Sequence, residues 1–174
     1  MIYLIGGIPT AGKSSLAALI LERHQIPIIS TDVIRNFLDF SPTKLGILGL
    51  LEEQQAEAFY PYLYKYVRIL ENHYPDYVVE GDIFTPEQVI ELQKKINLKC
   101  CFLGMSGFAP TRPFGDSRWA NNLSPEEQQT LPEKLTNRSE NLQRSAASHH
   151  LPYIDVFPDK KAALEKAYAS LFGK

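Results

Sequence analysis

A chain of 174 residues is long enough for one domain with a sizeable core and too short for two independent ones. Its 44% hydrophobic and 22% charged content is that of an ordinary soluble globular protein. A net charge of −2, with Lys and Arg scattered, excludes the basic footprint of a nucleic-acid binder and the polybasic patch of a membrane-surface protein.

In chain order, Ile2–Ile5 is a continuous apolar run ended by Gly6-Gly7, the pattern of a strand buried on both faces. A helical pattern follows from Lys13 to His24, and Ile26–Ile29 reads as a second buried strand. Ser30-Thr31-Asp32 supplies cap residues for a helix through Phe40. The apolar stretch Leu45 to Leu51 is too short to span a bilayer. Leu51 to Tyr74 is a longer helix that Pro61 is expected to kink or split. Tyr77–Glu80 is a third strand, Thr85-Pro86-Glu87 opens another helix, and Leu98–Leu103 is a fourth strand. Residues 104–131, rich in Gly, Pro, Asn and Ser, read as a mobile excursion with one short helix after Ser124-Pro125. Glu133 to His149 is helical, Tyr153–Val156 is a fifth strand, and Asp159 to Phe172 closes the chain as a helix.

Cys100 and Cys101 fall inside the fourth strand, where neighbours point to opposite faces, so they form neither a disulfide nor a metal pair. The opening Met1–Ile5 lacks a basic n-region and reaches glycine too soon for a signal peptide, so a reduced, cytoplasmic setting is expected. The tyrosines at 60, 62, 64 and 66 suit packing rather than base stacking, for want of a basic groove.

Strands alternating with helices predict an α/β fold: a doubly wound parallel sheet of five strands in a single domain, residues 1–174, with a lid at about 105–131. Ligands in such sheets sit beyond the carboxyl ends of the strands. Three suspicious segments fall at such ends: Gly6–Ser15, Ser30–Arg35 and Glu80–Asp82.

Gly7-Ile8-Pro9-Thr10-Ala11-Gly12-Lys13-Ser14 matches the phosphate-loop pattern, and Ser15 extends it into the helix. Phosphate oxygens need several backbone N–H donors converging on them, which a curled, glycine-containing backbone provides. The helix beginning near Lys13 adds its positive end. Lys13 is expected to reach the β- and γ-phosphates of ATP, and the Ser14 hydroxyl to bind Mg²⁺.

Asp32 and Arg35 lie three apart after the second strand and so share a helix face. A carboxylate there can take a proton from a substrate hydroxyl, and the arginine fork can grip an anionic substrate. After the third strand, Glu80 is the preferred member of the metal shell and Asp82 is expected near the substrate. The two share a strand parity, so the bend at Gly81 decides which faces the site.

These segments, together with Ile29 to Arg35 and Val78 to Gly81, resemble the small-molecule kinase branch of the P-loop proteins, which includes 2-phosphoglycerate kinases, zeta-toxin kinases and chloramphenicol phosphotransferases. The resemblance covers residues 1–40 and 77–82. It implies ATP with Mg²⁺, a small hydroxylated substrate, Asp32 as base and Arg35 on the substrate.

Related kinases carry a lid after the fourth strand, and an arginine there can neutralise charge in the transition state. Arg118, then Arg112, are the expected lid residues, ahead of Arg138 and Arg144; Phe114 and Trp119 are expected to anchor the lid. Two other readings stay open: a toxin-like kinase acting on nucleotide sugars, and a nucleotide-dependent ATPase or regulatory switch. No Asn-Lys-x-Asp or Asp-x-x-Gly pattern follows the strands, which argues against a GTPase. The oligomeric state is left open.

Overall fold

The computed structural model describes residues 1–40, 45–73, 75–108, 114 and 117–173, the side chains at 52, 53, 118 and 119 apart. Five strands build it: β1 (Ile2–Gly7), β2 (Ile28–Ser30), β3 (Tyr77–Glu80), β4 (Leu98–Gly104) and β5 (Tyr153–Asp155). All pair in parallel, in the order β2-β3-β1-β4-β5. The central strand β1 is buried along its whole length, as its unbroken apolar sequence requires. Strand β2 differs from expectation. It starts at Ile28 and lies at the sheet edge, so it is half-buried rather than buried.

Among the described residues, seven α-helices flank these strands: α1 (Lys13–His24), α2 (Thr31–Phe40), α3 (Glu52–His73), α4 (Pro86–Gln93), α5 (Arg118–Asn121), α6 (Pro125–Ser148) and α7 (Lys160–Phe172). Because successive strand residues point to opposite faces, β1 divides its side chains between two cores. Tyr3 and Ile5 join Leu16 and Ile20 of α1 and Ala163, Ala167 and Leu171 of α7. Ile2 and Leu4 join Phe59, Leu63 and Val67 of α3 and Val89 and Leu92 of α4. Cys100 and Cys101 divide in the same way, one into each core, both as free thiols.

Proline disturbs two helices less than its chemistry suggests. Helix α3 runs unbroken through Pro61, whose ring lies on the exposed face while Phe59, Leu63, Val67 and Leu70 are buried on the other. Helix α6 runs through Pro132 and takes up the end of the stretch expected to be an excursion. A capping box sets its start, with Ser124 Oγ accepting from Glu127 N–H and the Glu127 carboxylate accepting from Ser124 N–H. Leu131 and Leu135, one turn apart, bury against the first core. That packing outweighs the roughly 3 kcal/mol a proline costs inside a helix.

Elsewhere in the excursion, Phe114 and Ala120 are also buried in the first core, Phe114 edge-on to Phe108 at 6.1 Å. Tyr60, Tyr64 and Tyr66 pack on the second core. No described helix is long and apolar enough to cross a membrane.

Candidate active site

The loop between β1 and α1 curls because its backbone takes positive φ at Gly7 (141°), Thr10 (66°) and Gly12 (89°). Its lysine is folded into that curl. Lys13 is buried, and its Nζ donates to Gly7 O at 3.1 Å and Ile8 O at 2.9 Å. Burial pulls the Lys13 pKa below the usual lysine range. The carboxylates of Asp82, Glu80 and Asp32 act against that fall, and Arg138 reinforces it. All four groups therefore share the neighbourhood of the lysine. Helix α1 begins at Gly12 with no side-chain cap, and Ser14 and Ser15 of its first turn are exposed.

The ends of β2 and β3 meet beside this loop through a close contact. Thr31 is fully buried against Gly81, where an added Cβ would lie 1.7 Å from Thr31 Oγ1. Only glycine leaves room for the threonine there. One residue either side, Glu80 is buried beneath, and Asp82 emerges into a cavity of about 590 Å³. The bend at Gly81 thus turns the two acids to different surroundings.

An ion-pair chain crosses the cavity wall. Arg35 Nη2 donates to Asp32 Oδ1 at 3.2 Å and its Nη1 to Gln55 Oε1 at 3.1 Å, while Nη1 also lies 3.9 Å from Asp82 Oδ1. From α6, Arg138 Nη2 donates to Asp82 O at 3.1 Å and lies 3.9 Å from Asp82 Oδ2. Burial, then the neighbouring Asp82, raise the Asp32 pKa above the usual carboxylate range, outweighing Arg35 and Lys13.

Among the described residues, the buried side-chain polar atoms without a hydrogen-bond partner are Thr10 Oγ1, Thr31 Oγ1, Arg35 Nε and Asp82 Oδ1. Every one belongs to this site. A buried unpaired polar group costs roughly 1–3 kcal/mol, so their concentration here is what a polar ligand site produces. The residues fit a nucleotide polyphosphate: an uncapped helix end, a curled loop and a lysine within it. The Ser14 hydroxyl and the Glu80 carboxylate are hard oxygen donors of the kind magnesium takes.

Of the residues expected from sequence, the loop Gly7–Ser15, Asp32, Arg35, Glu80 and Asp82 converge on one end of the sheet. Arg112 lies outside the described residues, as do the side chains of Arg118 and Trp119; only the helical backbone of α5 is described there. Arg144 donates to Asn141 Oδ1 and stays exposed. Sequence reasoning underrated α6. Lys134, Arg138, Asn141 and Ser145 recur every three or four residues and line the cavity together with Gln55 of α3. That spacing, inside a helix already expected from Glu133 to His149, is the signal in the sequence; which face of the helix meets the cavity is set by packing.

A parallel sheet in this order, with a glycine-rich loop passing from its central strand into a helix, is the P-loop NTPase fold in the form taken by small-molecule kinases. Solved structures bear this out. A shikimate kinase from Bacteroides thetaiotaomicron matches at TM-score 0.57 with 15% identity, over 96% of this chain and 93% of its own. A gluconokinase from Sinorhizobium meliloti 1021 matches at TM-score 0.56 with 17% identity, over 97% of this chain and 90% of its own. An uncharacterized protein from Eubacterium ventriosum matches at TM-score 0.57 with 12% identity, over 100% of this chain and 99% of its own. At such identities the likeness is one of fold. No protein-family model and no curated protein matches the sequence.

Proposed function

We infer that this chain is a kinase that transfers the γ-phosphate of ATP to a hydroxyl of a small molecule. The observation that carries the reading is a single one: the lysine-bearing phosphate loop opens onto a cavity whose wall holds Arg35, Asp82 and Arg138, with Asp32 ion-paired to Arg35 at its edge. A site for a polyphosphate and a site for a polar acceptor therefore adjoin. That the solved structures sharing this fold include a shikimate kinase and a gluconokinase supports the same reading.

In this scheme the loop amides and Lys13 hold the polyphosphate. Lys13 leaves the carbonyls of Gly7 and Ile8, which it reaches at 3.1 and 2.9 Å, for phosphate oxygens. Asp32 accepts the proton of the acceptor hydroxyl; burial and the neighbouring Asp82 raise its pKa, which makes it a stronger base than an ordinary carboxylate. The acceptor oxygen then forms its bond to the γ-phosphorus as the bond to the β–γ bridging oxygen breaks, and ADP leaves with that electron pair. Arg35 and Arg138, both already against Asp82, hold the polar end of the acceptor. Magnesium, held by Ser14 with Glu80 behind it, would supply charge neutralisation along the phosphates.

The test is incubation with γ-labelled ATP, magnesium and a library of small hydroxylated compounds. Label is expected in one acceptor class. Label released only as inorganic phosphate across the whole library would overturn the reading in favour of an ATPase.

A further inference from the structure

Helix α7 lies alongside α1, and the two are fastened firmly at one end. Arg23 Nη1 and Nη2 donate to Glu165 Oε2 and Oε1 at 2.9 and 2.6 Å. The Arg23 guanidinium also lies 4.5 Å from the centre of the Tyr168 ring, and His24 Nε2 is 2.7 Å from the Tyr168 hydroxyl. These contacts fix where α7 begins, and it begins at the phosphate loop.

There the chemistry changes character. A methyl group added at Gly12 would lie 2.7 Å from Lys160 Cε and 3.2 Å from Lys160 Nζ. The ammonium of Lys160 therefore rests against the second glycine of the loop. Among the described residues no carboxylate pairs with it, whereas Arg23, on the same helix pair, has a bidentate one.

This placement is unfavourable by itself. The N-terminal end of a helix carries roughly half a positive charge, which repels cations. Lys160 is the first residue of α7 and sits beside Gly12, where α1 starts without a side-chain cap. Asp159 Oδ1 satisfies the α7 end by accepting Ala162 N–H at 3.0 Å, but nothing comparable caps α1. Thr10 Oγ1, in the same loop, is buried with no partner. An ammonium, an uncapped helix end and an orphaned hydroxyl together become favourable when an anion joins them.

We propose that Lys160 is a second lysine ligand of the nucleotide, meeting its α- and β-phosphates from the Gly12 side of the loop. The acceptor cavity is lined by Gly7 and Ile8 at the loop's other end, so the γ-phosphate points there and the inner phosphates face Gly12. This rests on the nucleotide reading above and adds a binding residue to it. Lys160 thus contributes to nucleotide affinity and not to the chemical step.

The experiment is calorimetric titration of the full chain with ADP, ATP and adenosine, in the parent and in Lys160→Met, Lys160→Gln and Lys160→Arg. Methionine keeps an unbranched stem over Gly12 and removes the charge. ADP and ATP are expected to bind about ten-fold more weakly to Lys160→Met and Lys160→Gln, the size of one charge-assisted hydrogen bond. Lys160→Arg stays within about three-fold of the parent, and adenosine affinity is unchanged in all three. In turnover, KM for ATP rises by the same factor while kcat holds within about two-fold. The melting temperature without nucleotide does not fall in the uncharged variants, whereas loss of a purely structural lysine would lower it. ADP affinity within two-fold of the parent in both uncharged variants overturns the proposal. If those variants keep full affinity while Lys13→Ala loses it, Lys160 alone is misassigned. If Lys13→Ala binds ADP like the parent, the nucleotide reading falls and this inference with it.

Discussion

Gly81→Ala probes the contact that joins the second and third strand ends. The new methyl would sit 1.7 Å from Thr31 Oγ1, 2.9 Å from Thr31 Cβ and 3.2 Å from Thr31 Cγ2. Turning the threonine about χ1 only exchanges one substituent for another, and Cβ stays too close in every rotamer. Thr31 is fully buried, so it has nowhere to retreat. The strands must therefore part, and β2 is the weak member, an edge strand in register with β3 over only Ile28, Ile29 and Ser30. Overpacking of this kind costs about 1–3 kcal/mol. At about 2–4 °C per kcal/mol for a chain of this size, Tm should fall by roughly 2–12 °C. Because Asp32 follows Thr31, phosphate transfer should fall as well, while ADP affinity, which belongs to the loop after β1, holds within about two-fold. Thermal melts and ADP titration of Gly81→Ala, alone and with Thr31→Ala, measure this. The double variant is expected to recover part of the lost Tm. A single variant melting within 1 °C of the parent would refute the steric argument.

Lys13→Ala should weaken ATP binding by about a hundred-fold or more, whereas Asp32→Asn should bind ATP normally and lose transfer by about 10²–10⁴-fold, as read by titration and by labelled-phosphate transfer. The raised Asp32 pKa carries a sign. A carboxyl that holds its proton more tightly folded than unfolded adds stability at low pH, and that stability is lost as pH rises through the folded value. Asp32→Asn should therefore melt above the parent at pH 7, with the gap closing on acidification; a lower melting point at pH 7 would contradict this. For the parent, kcat/KM should climb with pH through a value above the usual ~3.9 of aspartate. Burial pushes the Cys100 thiol up to about 12 and the Cys101 thiol higher still, the Cys100 charge adding to the effect on the latter. A thiol reagent at pH 8 is expected to leave both unmodified in the native chain and to label both after denaturation; labelling of native protein at a rate near that of free cysteine would count against the buried fourth strand.

Local chemistry wrote some of this protein directly into its sequence. The unbroken apolar run before Gly6-Gly7 can only be a strand covered on both faces, and the spacing of Gly7, Gly12, Lys13 and Ser14 requires a curled loop at its end, whatever the rest of the chain does. The Asp32–Arg35 pair is equally local, since residues three apart on a helix must share a face. Distance along the chain limits such reasoning. Nothing in the sequence near Gly81 announces that Thr31, fifty positions away, fills the space a side chain would need, or that this contact turns Glu80 inward and Asp82 toward the cavity. Arg138 reads as an ordinary helical arginine until tertiary packing sets α6 beside the end of β3 and delivers it to Asp82. Lys160 reads as a first-turn charge until α7 docks beside α1. Periodicity and loop chemistry are properties of neighbouring residues and are legible one segment at a time. The partners of a charge are chosen by packing, which exists only once all the segments have met.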